Sequence, residues 1–143
     1  MRAATVGALD RHRRGEVVIV HHDDEALMTL AVAFSDGPYE ITVTDAADTL
    51  VRARHLVTRH PVAMIVALRG DELLPDVRSL LTISKDTRFL FLAPRVPPHA
   101  ALARVVKEHG SAILGRYEPL VLIVATVVGL LAGPAPALGG RNG

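Results

Sequence analysis

The densest group of polar side chains able to do chemistry is a run of two histidines and two aspartates, residues 21–24, which follows the apolar residues 17–20. Two imidazoles and a carboxylate form a ligand set that zinc accepts. However, adjacent residues at the end of a strand point in opposite directions, so His21 and His22 are poorly placed to bind one ion. A metal-dependent enzyme using His21, His22 and Asp23 therefore stays a minor alternative, since no pair of nucleophile and base accompanies them.

The composition indicates one ordinary domain. The chain has 143 residues, half of them apolar, which is enough material for one buried core. Its 16 basic and 15 acidic residues leave a formal charge of +1, which is too balanced for a large nucleic-acid-binding surface. The absence of cysteine excludes disulfides and thiolate metal sites, and it agrees with a cytoplasmic protein.

Neither end of the sequence predicts folded structure. Residues 1–16 are basic but contain no long apolar run, so they predict a disordered arm and no signal peptide. Residues 133–143, rich in Gly, Pro and Ala, predict a flexible linker or tail. The apolar residues 120–132 number 13, short of the roughly 20 that a bilayer requires, so we expect no membrane association.

Short apolar runs alternate with helix-length segments between residues 17 and 132. Five strands that are each followed by a helix predict an α/β domain with a doubly wound, five-stranded parallel sheet. Residues 41–44 alternate between apolar and polar like an edge strand, whereas the first, third and fourth runs are continuously apolar. The predicted strands are centred on residues 17–20, 41–43, 64–66, 89–92 and 113–114.

The boundaries of the helices support this division. Carboxylates stand where the first two helices begin, and carboxylates there are favourable against the helix dipole. Prolines stand in the first turn of the last two helices and glycines just beyond their ends. The residues concerned are Asp23, Asp24, Asp45, Asp48, Pro98, Pro119, Gly110 and Gly133.

The first half of the chain resembles the receiver domains of response regulators, especially those of LuxR/NarL-type transcription regulators. In those domains an apolar strand ends in two acids, where this chain has His21 and His22. Residues 45–48 are similar to the Glu-Ala-x-Asp-Gly segment of that subfamily, and residues 60–61 to the Arg-Pro before its third strand. The match from residue 17 to residue 68 needs no insertion. The resemblance implies a receiver-like, flavodoxin-like three-layer sandwich over residues 17–132.

In the register of this resemblance every reactive position of a receiver is changed. Ala67 takes the place of the phosphoacceptor aspartate, while His21 and His22 take the places of the acid pair that holds magnesium. Ala93 stands where receivers carry a switch serine or threonine, and Arg116 replaces their lysine. A methyl group is no nucleophile, and magnesium prefers oxygen ligands to imidazole. The resemblance therefore implies a degenerate phosphorylation pocket and an output independent of aspartyl phosphate.

Two alternatives involve the acidic residues nearby. Asp23 and Asp24 can be aligned as the acid pair in a second register, although this alignment places two histidines inside the first strand. Asp71, four residues past Ala67, is a conceivable displaced phosphoacceptor, but we expect it in a solvated loop. Neither alternative restores a carboxylate at position 67.

The fifth helix is apolar on all sides, whereas a helix that packs one face on a sheet is expected to be polar on the other. Either a C-terminal segment folds over it, or it forms a protein interface. Receiver domains commonly pair through the fourth helix, fifth strand and fifth helix, so the resemblance implies a homodimer through the fourth and fifth helices. In the subfamily pattern Leu122, Ile123 and Thr126 face inward. The residues predicted to face the partner are Val121, Val124 and Val128.

We therefore expect a phosphorylation-independent regulatory and dimerisation module of a bacterial transcription regulator, with no enzymatic activity and no cofactor. The sequence shows no helix-turn-helix pattern, so contact with DNA would need a domain beyond residue 143. The alternative is a small-molecule-binding domain. Its ligand would occupy the former phosphorylation pocket at the carboxyl ends of the strands, the usual ligand crevice of such sheets.

Overall fold

The computed structural model describes residues 15–94 and 100–132. The arm expected over residues 1–16 lies outside these ranges except for its last two residues, and Glu16 already belongs to the first strand. The sheet thus begins one residue before the predicted boundary. The tail expected over residues 133–143 also lies outside the described residues, as do Pro98 and Gly133.

Strands and helices alternate along the described residues in the predicted order. A short 3-10 turn, Val57–Arg59, follows the second helix. The elements are β1 Glu16–His21, α1 Asp24–Phe34, β2 Glu40–Asp45, α2 Thr49–Leu56, β3 Ala63–Ala67, α3 Leu74–Ile83, β4 Arg88–Ala93, α4 Ala100–Glu108, β5 Ala112–Gly115 and α5 Leu120–Leu131.

The five strands form one parallel sheet in the order β2-β1-β3-β4-β5. This confirms the predicted doubly wound α/β fold. β2 lies at one edge and is largely accessible to solvent, as its alternating sequence predicts. β1, β3 and β4 are almost completely buried, because helices cover both faces of the sheet around them.

Two apolar cores lie on the two faces of the sheet, because successive side chains of a strand point to opposite faces. One core packs against α2, α3 and α4, whose buried side chains include Leu50, Val77 and Val106. The other packs against α1 and α5 through residues such as Leu30 and Ile123. The result is a three-layer sandwich. No helix in the described ranges is long and apolar enough to cross a membrane.

Aspartates cap the first two helices. The carboxylate of Asp23 accepts a hydrogen bond of 3.0 Å from the backbone N–H of Glu25, which satisfies a donor that the helix leaves free. Asp48 does the same for Val51 at the start of α2, over 3.2 Å. Asp45, expected at the opening of that helix, is instead the last residue of β2. It lies too early in the chain to reach the first turn of the helix.

The orientation of α5 differs from the prediction. Ile123 and Val127 are its buried residues, so the inward set of Leu122, Ile123 and Thr126 is only partly right. Leu122 is 40% exposed. Val124, expected to face outward, is half buried and packs against the core beneath the helix. Because the helix is apolar all round, hydrophobic periodicity could not select the face that meets the sheet. Val121 and Val128, at 75% and 57% exposure, do face outward.

Candidate functional site

The carboxyl ends of the strands gather the polar residues that the sequence singled out. The register pairs Val20 of β1 with Val66 of β3, so His21 and Ala67 follow on neighbouring strands. Ala67 pairs with Leu92 on β4, and Ala93 pairs with Gly115 on β5. Arg116 comes next after Gly115. All five residues of the expected pocket, His21, His22, Ala67, Ala93 and Arg116, therefore lie along this edge of the sheet.

Ala67 is completely buried at the end of β3. Its side chain is a methyl group, which carries no electron pair for attack on phosphorus. Its carbonyl oxygen accepts a hydrogen bond of 2.5 Å from the hydroxyl of Thr49, which is buried in the first turn of α2. Thr49 could not be identified from the sequence, because its position just after the Asp48 cap gives no sign of a contact with β3.

His21 is buried and uncharged. Its Nδ1 accepts a hydrogen bond of 3.0 Å from the backbone N–H of Asp23, so the ring hydrogen of the neutral form lies on Nε2. Burial lowers the pKa of His21 to about 4, with smaller contributions from His22 and Arg116 that outweigh the opposing charge of Asp23. This ring therefore acts as a hydrogen-bond acceptor for the turn between β1 and α1.

His22 and Arg116, far apart in the sequence, meet at this edge. Nη1 of Arg116 lies 2.6 Å from Nε2 of His22. A guanidinium can only donate, so the imidazole accepts at Nε2 and its ring hydrogen lies on Nδ1. Burial is the main cause that lowers the pKa of His22, and the charges of Arg116 and Arg69 add to it. The carboxylates of Asp23 and Glu72 oppose the shift but do not reverse it.

This contact leaves two polar atoms without partners. Within the described residues, Nδ1 of His22 and Nε of Arg116 are buried and make no hydrogen bond. Both carry hydrogen when the imidazole is neutral, so both are unsatisfied donors. A buried donor without an acceptor costs roughly 1–3 kcal/mol. The arrangement is therefore short of acceptor atoms.

The loop between β3 and α3 borders the site. The carboxylate of Glu72 accepts hydrogen bonds from the backbone N–H groups of Arg69 and Gly70, over 2.7 and 2.9 Å. Gly70 has a left-handed backbone, with φ of +107°, and a β-carbon there would lie 2.9 Å from Cγ of Pro94 in the loop after β4. The two loops are therefore in close contact, and only glycine fits at position 70.

The metal alternative has no geometric support. The rings of His21 and His22 lie 5.0 Å apart and tilted by 40°, and Nδ1 of His21 already accepts from the backbone. One oxygen of Asp23 caps α1. Across residues 15–94 and 100–132, no group of three or more metal-binding side chains is placed to hold an ion.

The second register takes Asp23 and Asp24 as the acid pair at the end of the first strand, but the structure gives these residues another place. β1 ends at His21, and the two aspartates belong to the cap and first turn of α1. Asp71 is exposed, as expected for a loop residue. It lines an open cavity of about 270 Å³ beside α2, and Ala67 is absent from the wall of that cavity. The wall consists of Asp48, Leu50, Val51, Arg54, Arg69, Asp71, Glu72, Leu73 and Asp76.

Comparison with models of protein families gives no match, and comparison with curated proteins gives none either. Solved structures with the same fold include receiver domains of response regulators. The signal receiver domain of the response regulator NarL from Mycobacterium tuberculosis has a TM-score of 0.62 and 18% identity, over 83% of this chain and 97% of that one.

Two other solved structures agree with this. The signal receiver domain of a Luxo repressor protein from Vibrio parahaemolyticus has a TM-score of 0.67 and 19% identity, covering 91% of this chain and 98% of that one. A LuxR-family two-component response regulator from Aurantimonas sp. SI85-9A1 has a TM-score of 0.64 and 17% identity, covering 83% of this chain and 86% of that one. The chain therefore has the fold of a response-regulator receiver domain.

Proposed function

We propose that this chain is a regulatory and dimerisation module of a bacterial transcription regulator, active in the cytoplasm, whose output is independent of aspartyl phosphate. The observation that carries the proposal is Ala67, which stands completely buried at the carboxyl end of β3. The receiver resemblance puts the phosphoacceptor at this position. A methyl group there cannot form the acyl phosphate, so we propose no enzymatic activity.

The other parts of the chemistry are changed as well. Phosphoryl transfer to a carboxylate uses a divalent cation, and magnesium prefers oxygen ligands. His21 and His22 offer nitrogen instead, and one nitrogen of each ring is already in a hydrogen bond. These residues do not fit magnesium. Arg116 carries a fixed positive charge, but its guanidinium is in contact with His22. The site therefore lacks the nucleophile and the magnesium ligands that phosphoryl transfer needs, and it keeps hydrogen-bonding groups that a ligand could contact.

Contacts with another protein are one route for a signal that needs no phosphorylation. The outer face of α5 exposes Val121 and Val128, and Leu122 is partly exposed beside them. Burying one valine side chain in a partner is worth about 1.5 kcal/mol by area. We therefore propose homodimerisation through α4 and α5, with Val121 and Val128 in the interface. We propose that contact with DNA comes from a separate domain, because one structural neighbour is a DNA-binding response regulator of the LuxR family from Staphylococcus aureus.

The test of phosphorylation independence uses acetyl phosphate, and separately beryllofluoride, each with magnesium. We expect no added phosphoryl mass and no change in sedimentation, because no carboxylate stands at position 67. Ala67→Asp alone is expected to behave in the same way, since the metal ligands are still missing. A phosphoaspartate in the mass spectrum of the wild type, or a sedimentation change with beryllofluoride, would overturn the proposal.

The test of the interface uses light scattering coupled to size exclusion. We expect a dimeric wild type and monomeric, folded Val121→Asp and Val128→Asp variants, because a charge on the outer face is solvated in the monomer. Val51→Asp is the matched control, since this valine is 49% exposed on α2, across the sheet from α5, and its variant is expected to stay dimeric. A monomeric wild type, or dimeric variants at low concentration, contradicts the interface.

A further inference from the structure

The contact between Arg116 and His22 joins two basic groups. In hydrogen-bonded contacts of arginine the usual partner is a carboxylate or phosphate, which matches the fork of N–H donors and neutralises the charge. Here the partner is an imidazole whose own protonated form the guanidinium opposes. The contact also leaves Nε of Arg116 and Nδ1 of His22 as buried donors. An acceptor with negative charge at this contact would offset the positive charge and offer the guanidinium a hydrogen-bond acceptor.

The acidic groups nearby are engaged elsewhere. The two oxygens of Glu72 hold the backbone N–H groups of Arg69 and Gly70. Asp23 holds the backbone N–H of Glu25. Within residues 15–94 and 100–132, no carboxylate forms an ion pair with Arg116. The chain itself therefore supplies no anion to this guanidinium from the residues that the structure describes.

We propose that this edge of the sheet binds a small oxyanion, such as the phosphate or carboxylate group of a metabolite, between Arg116 and His22. The anion accepts hydrogen bonds from the guanidinium and from the imidazole and replaces the direct contact between them. Arg69, on the adjoining loop, adds positive charge to the same region. The inference goes beyond the proposed function and rests on it in one respect, that Ala67 accepts no phosphoryl group. Binding is thus reversible and needs no magnesium.

Binding of an anion is expected to take up a proton. In the free protein burial, Arg116 and Arg69 hold the pKa of His22 below its ordinary value, against the pull of Asp23 and Glu72. A bound anion stabilises the charged imidazolium, which then donates a hydrogen bond from Nε2, the nitrogen that accepts in the free protein. The affinity therefore rises as the pH falls. His21 stays uncharged at neutral pH, because its pKa is about 4.

The experiment measures thermal unfolding with sodium phosphate, sodium sulfate and sodium succinate, each against sodium chloride of equal ionic strength and with EDTA present. We expect the oxyanion to raise the unfolding midpoint by about 5 °C at about tenfold excess over its Kd. Phosphate and sulfate also stabilise proteins by exclusion from the surface, so only the part of the shift that Arg116→Gln removes counts as binding at the site. Such a shift with phosphate and sulfate identifies a phosphoryl-type ligand, and with succinate a carboxylate. Equal midpoints in all four salts overturn the proposal, whatever the outcome with beryllofluoride.

Substitutions assign the effect to the site. Arg116→Gln is expected to weaken anion binding by about tenfold or more, whereas Arg116→Lys keeps part of it. Arg52→Gln, an exposed arginine of α2, is the matched control and leaves binding unchanged. His22→Gln is expected to abolish the pH dependence of anion binding. His55→Gln, a substitution on α2, is the control and is expected to retain it. Anion stabilisation that is the same in Arg116→Gln and wild type places the anion elsewhere and overturns the site.

The ring of His22 gives a readout that does not depend on the folding of any variant. In a proton NMR titration of the wild type, we expect phosphate, or succinate if the ligand is a carboxylate, to raise the pKa of His22 and to leave that of His21 near 4. If Arg116→Gln fails to unfold cooperatively, Arg116→Lys and this titration decide the matter. A pKa of His22 that is the same in chloride, phosphate and succinate contradicts the proposal.

Discussion

The two ends of the sheet treat their buried polar side chains differently. At the amino ends of the strands, each hydroxyl is tied to a neighbouring element. Thr87 donates to the carbonyl oxygen of Pro61 over 2.7 Å and lies 2.8 Å from the hydroxyl of Ser84. The hydroxyl of Ser111 accepts from the backbone N–H of Phe89 over 2.8 Å. These contacts connect β3, β4, β5 and the end of α3.

At the carboxyl ends, Arg116 and His22 contact each other and not the backbone. The amino-end network also contains an unpaired ring nitrogen, Nε2 of His109, but Nδ1 of the same ring lies 2.9 Å from the hydroxyl of Ser111. The difference lies in what each cluster does for the fold. The amino-end network ties the strands together. At the carboxyl end Thr49 and His21 are also bonded to backbone groups, but in the described part of the chain the side chains of Arg116 and His22 are bonded only to each other. The amino edge of this parallel sheet thus contributes to stability, whereas the carboxyl edge is the one for which we propose ligand binding.

The largest effect is expected from Ser111→Ala at the amino end. The substitution leaves the buried N–H of Phe89 without an acceptor, so the free energy of unfolding falls by about 2 kcal/mol. Chemical denaturation measures the loss, with Ser79→Ala on α3 as the control that is expected to change little. A loss of stability smaller than that of the control would show that the amino-end network does not stabilise the fold.

An acid-dependent effect of similar size is expected at His21. Its pKa in the folded protein, about 4, lies below the ordinary value of 6.5, so protonation favours the unfolded state. The stabilisation is complete above pH 6.5 and disappears as the pH falls towards 4. After allowance for screening by solvent, the loss is about 2 kcal/mol.

The comparison for His21 is His21→Asn, whose amide oxygen can accept from the backbone N–H of Asp23 in place of Nδ1. We expect the variant to lose less stability than the wild type over the same pH range. Because His109 also has a lowered pKa and titrates in both proteins, only the difference between the two curves belongs to His21. Parallel curves would show that His21 is protonated equally in the folded and unfolded states.

The smallest effect is expected from Arg116→Gln in a buffer without oxyanions. The contact with His22 satisfies one hydrogen bond but leaves two donors unpaired, so the change in stability is below about 0.5 kcal/mol. Denaturation in chloride, with Arg116→Lys alongside, measures it. A loss as large as that of Ser111→Ala would make Arg116 part of the scaffold and would remove the contrast between the two edges.

The sequence predicts the strands well because their hydrophobic patterns are local. Residues 17–20 and 64–66 are continuously apolar and form the buried centre of the sheet. The aspartates at 23 and 48 cap helices through backbone groups two or three residues away, which spacing alone can indicate. Parallel strands end at the same edge of a sheet. This alone predicts that the residues at the strand ends share one edge, namely His21, Ala67, Ala93 and Arg116.

What the sequence does not predict depends on contacts between distant residues. The pairing of His22 with Arg116, and of Thr49 with the carbonyl of Ala67, requires the exact twist of strands and loops. On α5 the reason is different. Every side of the helix is apolar, so no pattern distinguishes Val124, which meets the core, from Val121, which is exposed.

The close approach of Gly70 to Pro94 constrains how this protein can evolve. Any side chain at position 70 meets the proline ring at 2.9 Å and must also adopt a left-handed backbone. A smaller residue at position 94 would remove the first obstacle but not the second, because the backbone strain at position 70 does not depend on the space available. Among descendants of this sequence glycine is therefore expected to persist at position 70 even where Pro94 has changed.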